Sequence, residues 1–205
     1  MRPIKIQNYM SLDGVMQAPG GPEEDTSGGF TLGGWSHPYW DDKMSEVMGQ
    51  GMAEESALLL GRKTYDIFAA HWPNAGDDNP VTQKLNKTTK YVATSTPDTL
   101  GWENSQAITG NVATNIEKLK QGDGPPLSVL GSSELIQTLL ENRLADELFI
   151  WTFPVVLGAG KRLFGGGTVP QGFELTDMQL STTGVTMARY NAAGEVKIGS
   201  FALDA

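Results

Sequence analysis

The apolar run Leu58-Leu59-Leu60 ends on Gly61 and passes at once into Arg62-Lys63-Thr64-Tyr65-Asp66-Ile67-Phe68, a basic, hydroxyl-bearing opening to a helix. A short continuous apolar run reads as a strand buried on both faces. A helix opening at the strand's carboxyl end turns free backbone N–H groups and the positive end of its dipole toward one spot, which suits a phosphate. Gly61 permits close backbone approach, Thr64 can cap or donate, and Arg62 and Lys63 bring positive charge. The alternative is an ordinary strand-to-helix turn with two solvated basic residues. Leu127-Ser128-Val129-Leu130-Gly131-Ser132-Ser133-Glu134-Leu135 repeats the theme, and Lys90-Tyr91-Val92-Ala93-Thr94 ends in the hydroxyls of Thr94 and Ser95. In one α/β sheet these three strand ends line a single crevice at the carboxyl edge. Neither junction matches G-x-x-x-x-G-K-[ST] or G-x-G-x-x-G, so the two common phosphate motifs are absent.

The remaining chain is predicted around that frame. Residues 3–10 form a first strand, stopped by Ser11-Leu12-Asp13-Gly14. From there to Trp35 the chain carries glycines at 14, 20, 21, 28, 29, 33 and 34, two prolines and the acidic triplet Glu23-Glu24-Asp25, without periodicity. Loops of this length act as lids or binding loops, or are surface insertions. A helix is expected from Ser36-His37-Pro38 to near Gly51, with Asp41 and Asp42 in its first turn and Trp40, Met44, Val47, Met48 and Met52 along one face. His71-Trp72-Pro73 through Asp77-Asp78-Asn79-Pro80 reads as irregular, with a short helix over Val81 to Leu85. Further helices are expected over about 111–121 and from the hydroxyls after Gly131, with Leu135, Ile136, Leu139 and Leu140 as the buried stripe of the latter, and further strands over 106–108 and 146–153. The tail alternates with period two over 173–181, 185–190 and 196–201. The order predicts an α/β fold: one domain spanning 1–205, its central sheet mixed but mostly parallel, helices on both faces, C-terminal strands antiparallel.

Composition narrows the chemistry. The 205 residues carry a net charge of −9, which opposes nucleic acid and anionic membrane surfaces as partners. Without cysteine, disulfides, thiolate catalysis and cysteine-held metals are excluded, which fits a cytoplasmic protein. His37 and His71 have no paired spacing, so no metal is expected. No charged-then-apolar leader follows Met1 and no apolar run approaches a bilayer span of about 20 residues.

Ser11-Leu12-Asp13-Gly14, Gly61-Arg62-Lys63-Thr64, Lys90 to Ser95, Leu130-Gly131-Ser132, Ala145-Asp146-Glu147-Leu148, and Pro154 to Gly160 with Leu163-Phe164 stand in an order that resembles the dihydrofolate reductase superfamily. The nearest resemblance is to the reductase domain of the bifunctional riboflavin-biosynthesis deaminase-reductase and its stand-alone relatives. It implies a three-layer α/β/α fold that binds NADPH and transfers hydride to a small heterocycle, pterin-like or a ribosylaminopyrimidine. The enzyme would be like 5-amino-6-(5-phosphoribosylamino)uracil reductase or dihydrofolate reductase, and homodimeric. By the resemblance, Lys63 and Thr64 at the Gly61 turn meet the pyrophosphate from one side and Gly131, Ser132 and Ser133 from the other. Arg62, Thr94 and Ser95 meet the adenosine 2′-phosphate, and the loop after the first strand closes over the nicotinamide near Asp13 and Met16. Folate reductases place a substrate-binding carboxylate on the first helix, which makes Asp41 or Asp42 the catalytic candidates here. The alternative is that both only complement the helix dipole. At the level of function, the alternative is a nucleotide- or pterin-binding protein without turnover.

Overall fold

A computed structural model describes residues 1–76, 78, 80–165 and 168–201. Eight strands among these residues form one sheet: β1 (Ile4–Ser11), β2 (Ala57–Gly61), β3 (Lys90–Ala93), β4 (Ser105–Ile108), β5 (Leu127–Leu130), β6 (Glu147–Phe153), β7 (Phe173–Leu180) and β8 (Thr186–Ala192). Their order across the sheet is β4-β3-β2-β5-β1-β6-β8-β7. The pairs from β4 through β6 are parallel, while β8 pairs antiparallel to both β6 and β7. The expected mixed, mostly parallel sheet with antiparallel C-terminal strands is therefore present. β2 and β5 lie side by side, with Leu58 opposite Ser128, so the two strand–glycine–helix junctions open next to each other.

Among the described residues five α-helices complete the layers: α1 (Asp42–Ala53), α2 (Arg62–His71), α3 (Pro80–Lys87), α4 (Val112–Gln121) and α5 (Ser133–Glu141). Alternation along each strand divides the core. Ile4, Ile6, Leu59, Val129, Leu148 and Ile150 pack under Ile116 of α4 and Leu135, Ile136, Leu139 and Leu140 of α5. Leu58, Leu60 and Val92 face Tyr65 of α2 and Leu85 of α3 on the opposite side. Further along that side, Phe149, Trp151 and Phe153 of β6 meet Met44 and Val47 of α1. Trp151 is fully buried, flanked by Trp40 at 5.9 Å, Tyr9 at 5.2 Å and Phe149 at 5.7 Å between ring centroids.

Three expectations are corrected. The first helix does not start at Ser36. A 3₁₀ turn over His37–Tyr39 ends where Trp40 becomes extended, and α1 begins at Asp42 with Asp41 as its N-cap. The helix over 81–85 is longer, Pro80–Lys87, because Pro80 fits the first helical position; Asp77 and Asn79 of the irregular stretch before it lie outside the described residues. The alternating segment 196–201 forms no strand: Val196, Ile198 and Phe201 lie exposed on an extended tail. Period-two alternation shows that a segment could sit on a sheet; it does not supply a neighbouring edge.

Lys90 opens β3 with no exposed surface. Its Nζ donates to the carbonyls of Thr88 (2.9 Å), Glu103 (2.9 Å) and Asn86 (3.1 Å) and sits 4.1 Å from the centre of the Trp102 ring. Burial lowers its pKa to about 8, against a smaller opposing pull from Glu103. The native protein then binds fewer protons than the unfolded chain between about pH 8 and pH 10.4, and stability rises with pH across that window. Below pH 8 the cost of burying the charge is carried in full. Urea titrations should show stability climbing by up to about 3 kcal/mol from pH 8 to 10.4. Lys84, lowered by its own burial, acts in the same sense, and Tyr9, raised by burial, opposes it only above its ordinary value of about 10. Lys90→Met should flatten most of the climb; an unchanged profile would show that Lys90 is not its source.

Candidate active site

The carboxyl ends of β2, β3 and β5 open into one cavity of about 1120 Å³. Gly61, Arg62, Lys63 and Thr64 line it from β2–α2, Gly131, Ser132 and Ser133 from β5–α5, Thr94 and Ser95 from the end of β3, and Met16 from the loop after β1. Ten of the residues singled out in the sequence thus meet in one wall.

The junctions are tied together. Ser132 takes a left-handed conformation, φ +68°, directly after Gly131 at φ +59°. For a serine this is strained by on the order of 1–3 kcal/mol. The conformation brings Ser132 Oγ to 2.9 Å from the Gly61 N–H, from which it accepts a hydrogen bond. With its hydroxyl used there, Ser132 caps no α5 amide, and Gly61 has no side chain to cap α2. The first-turn N–H groups of both helices consequently keep their capacity for an anion.

Arg62 lies across the end of β3. Its Nε donates to both oxygens of Asp66 (2.8 and 2.9 Å), and its Nη1 to the hydroxyls of Thr99 (2.6 Å), Thr96 (2.8 Å) and Thr94 (3.4 Å). Asp66 follows at i+4 on α2, a partner the sequence reading did not weigh. Thr96 and Thr99 were missed as well, although the run Thr94-Ser95-Thr96 carries its hydroxyls in plain sequence.

The loop over 14–35 folds on itself around Gln17, a buried residue the sequence did not mark. Gln17 Nε2 donates to the carbonyls of Asp25 (3.0 Å) and Ser27 (2.9 Å), and its Oε1 accepts from Lys161 N–H (3.0 Å). The Trp35 indole donates to Gln17 O at 2.8 Å. Glu24 Oε2 accepts from the N–H groups of Gly20 (2.7 Å) and Gly21 (3.3 Å). The Glu24 carboxyl lines the cavity, and burial raises its pKa against the pull of those bonds.

Three candidate residues are not brought to the cavity wall. Asp13 receives hydrogen bonds from Ser11 Oγ (2.6 Å), Leu157 N–H (3.1 Å) and Gly158 N–H (2.9 Å), which hold its pKa down at about 2 and pin the segment after β6. Asp41 is the cap of α1: Oδ1 accepts from Met44 N–H (2.8 Å), while Oδ2 accepts from Thr182 N–H and Oγ1 (both 2.7 Å). Asp42 follows in the first turn, where it complements the dipole. From α1 the wall receives Met48, Gly51 and Met52 instead, so the methionine stripe divides between core and cavity. The same cavity is also lined by Gln7 and Tyr9 of β1, Ser128 of β5, Phe68 of α2, and Trp72 just beyond α2.

The donor set fits a dinucleotide. Two uncapped helix starts and Lys63 suit a diphosphate, the Arg62–threonine cluster suits a further phosphate on a ribose, and the sulfur- and ring-lined half suits a flat heterocycle. Among the described residues, no group of three or more His, Asp or Glu could hold a metal ion, and no helix is long and apolar enough to cross a membrane.

Residues 2–188 match the family described as RibD C-terminal domain. Protein YyaP of Bacillus subtilis (strain 168) is 28% identical over 174 residues, 80% of each chain. Among solved structures, a pyrimidine reductase-like protein from Corynebacterium diphtheriae superposes with TM-score 0.63 at 13% identity, covering 95% of this chain and 93% of its own. Dihydrofolate reductase from Enterococcus faecalis, complexed with NADP(H) and RAB-propyl, superposes with TM-score 0.58 at 14% identity, covering 93% and 96%. These likenesses show the fold, three layers of α/β/α like that of dihydrofolate reductase.

Proposed function

Since this chain belongs to the RibD C-terminal domain family, whose reductase-type function it shares, we propose that it is an NADPH-dependent reductase. The hydride acceptor in this reading is a small heterocycle, pterin-like or a ribosylaminopyrimidine. The observation that carries the reading is the single cavity in which two uncapped helix starts, the Arg62 cluster and the Met48–Met52 wall meet. The cofactor supplies the hydride; the protein supplies position, charge and exclusion of water. Lys63, Thr64, Gly131, Ser132 and Ser133 hold the diphosphate, Arg62 with Thr94 and Ser95 the 2′-phosphate, and Met16 closes the loop side.

Proton delivery passes from Asp41 and Asp42 to another group in this reading, because neither reaches the cavity. Four carboxylates line it among the described residues. Asp25 and Asp66 are engaged by lysines and by Arg62, whereas Glu24 meets only backbone N–H groups and burial raises its pKa. A carboxyl that stays protonated closer to neutral pH suits a general acid. Glu24→Gln should lower turnover by about 10²-fold, the low end for a general acid, and remove the alkaline fall of the pH profile while NADPH affinity stays within about twofold. NADPH binding followed by energy transfer from tryptophan, then NADPH oxidation with dihydrofolate and with 5-amino-6-(5-phosphoribosylamino)uracil, tests the whole reading. Wild-type protein that binds no NADPH would overturn it; binding without turnover of any heterocycle would favour the non-catalytic alternative.

We further read residues 1–205 as one reductase-like unit, cytoplasmic and homodimeric. In support of the dimer, Leu175, Met178 and Leu180 lie exposed on β7, the edge strand of the sheet. Light scattering at the mass of one chain would end the dimer proposal.

A further inference from the structure

Lys63 stands in the first turn of α2 and Lys161 on the segment after β6, yet both ammonium groups end on one carboxylate. Asp25 Oδ1 lies 2.5 Å from Lys63 Nζ, and its Oδ2 2.7 Å from Lys161 Nζ. Ser27 completes the set through its N–H (3.1 Å) and Oγ (2.6 Å). The Asp25 side chain is only 12% exposed, and Asp25, Lys63 and Lys161 all line the large cavity. Burial alone would raise the Asp25 pKa, but the hydrogen bonds from Lys161, Lys63 and Ser27 outweigh it and hold the group well below the carboxylate range.

Two ammonium groups converging on two oxygens of one anion match the charge pattern of a diphosphate, which offers adjacent anionic oxygens to paired donors. Lys63 also sits beside the uncapped start of α2, where an anion is favoured. Asp25 belongs to the 14–35 loop, held by Gln17 through the Asp25 and Ser27 carbonyls. We infer that Lys63 and Lys161 form an anion site whose internal ligand is Asp25, and that a diphosphate takes the two lysines from Asp25 and so releases the centre of the 14–35 loop. Lys161 thereby becomes a further residue of the ligand site, and Asp25 becomes both a competitor for it and the catch that holds the loop. The inference rests on the dinucleotide reading of the cavity, although the exchange itself needs only the diphosphate.

The test uses the 205-residue chain with two probes, inorganic pyrophosphate and NADPH, and two variants that break the same bridge from opposite sides. Affinity for pyrophosphate should rise about three- to tenfold in Asp25→Asn, where the competitor is neutralised, and fall about tenfold in Lys161→Ala. Amide exchange across residues 20–30 should be faster in both variants than in wild type, and faster in wild type once pyrophosphate is saturating. Opposite shifts in affinity together with a shared loosening of the loop sustain the inference. Shifts of the same sign, or none, would show that Asp25 only pins the loop and would overturn it. Opposite shifts with pyrophosphate in a protein that binds no NADPH would sustain the anion site and remove the dinucleotide reading.

Discussion

Replacing Arg62 by alanine should weaken NADPH binding by one to two orders of magnitude and leave NADH nearly unchanged. The guanidinium lies at the end of β3 among the hydroxyls of Thr94, Thr96 and Thr99, with its Nε held by Asp66. Its Nη2 is engaged by none of these groups and remains to donate to a ribose phosphate, alongside hydroxyls that can turn their protons to the same oxygens. A hydrogen bond to a charged group contributes about 1.5–3 kcal/mol relative to its loss, which corresponds to roughly 10- to 100-fold in affinity. Loss of Arg62 also leaves Asp66 uncompensated beside the phosphate, which adds to the effect. Asp66→Asn in the same background separates the two contributions, because it removes the repulsion and not the donor. Raising salt should erode the wild-type preference for NADPH, since Arg62 is partly exposed and a net charge of −9 supplies no general attraction. Titration of both nucleotides into wild type and variant decides the matter. Equal losses for both would reduce Arg62 to a structural brace for the end of β3.

The second large effect concerns stability. Trp151→Ala should cost about 3–5 kcal/mol in denaturant titrations, the range found when a buried aromatic is cut to a methyl group. The residue is fully covered and joins Tyr9 of β1, Phe149 of its own strand and Trp40 ahead of α1. Trp151→Phe should cost much less than the lost volume suggests. The buried indole Nε1–H has no hydrogen-bond partner among the described residues. An unpaired buried donor carries a penalty of about 1–3 kcal/mol, which the phenylalanine removes along with the group. If the phenylalanine variant proves as unstable as the alanine variant, the indole proton has a partner or the packing alone decides.

The strand–glycine–helix junctions at Gly61 and Gly131 were legible because everything that defines them is local: an apolar run, a glycine, then a polar helix start. Their meeting in one cavity follows from β2 and β5 being neighbours. Asp41 and Asp13 stay ambiguous in the sequence for the opposite reason. Each sits where a catalytic or cofactor-facing carboxylate is expected, but its partners, Thr182 for one and Leu157 with Gly158 for the other, come from more than 140 residues away in sequence. Local position names a helix cap and a site carboxylate equally well. Gln17 and Lys161 left no signal, and Asp25 stood out only as one of an acidic triplet. A glutamine among glycines and a lysine after a glycine turn have no periodicity, and only the folding of the 14–35 loop against the segment after β6 gives them roles. The segment 196–201 shows the converse case, a clear strand pattern that pairs with no strand.

The hydrogen bond from the Gly61 N–H to Ser132 Oγ makes the cavity a ruler. Two turns on independent loops could each drift. Here one turn donates to the other, and Gly61 cannot take even a methyl group without pressing on Ser132, whose Cβ would lie 3.3 Å away. The separation of the α2 and α5 starts is therefore fixed before any ligand arrives. Whatever anion the two starts receive must fit a spacing that the protein itself has set.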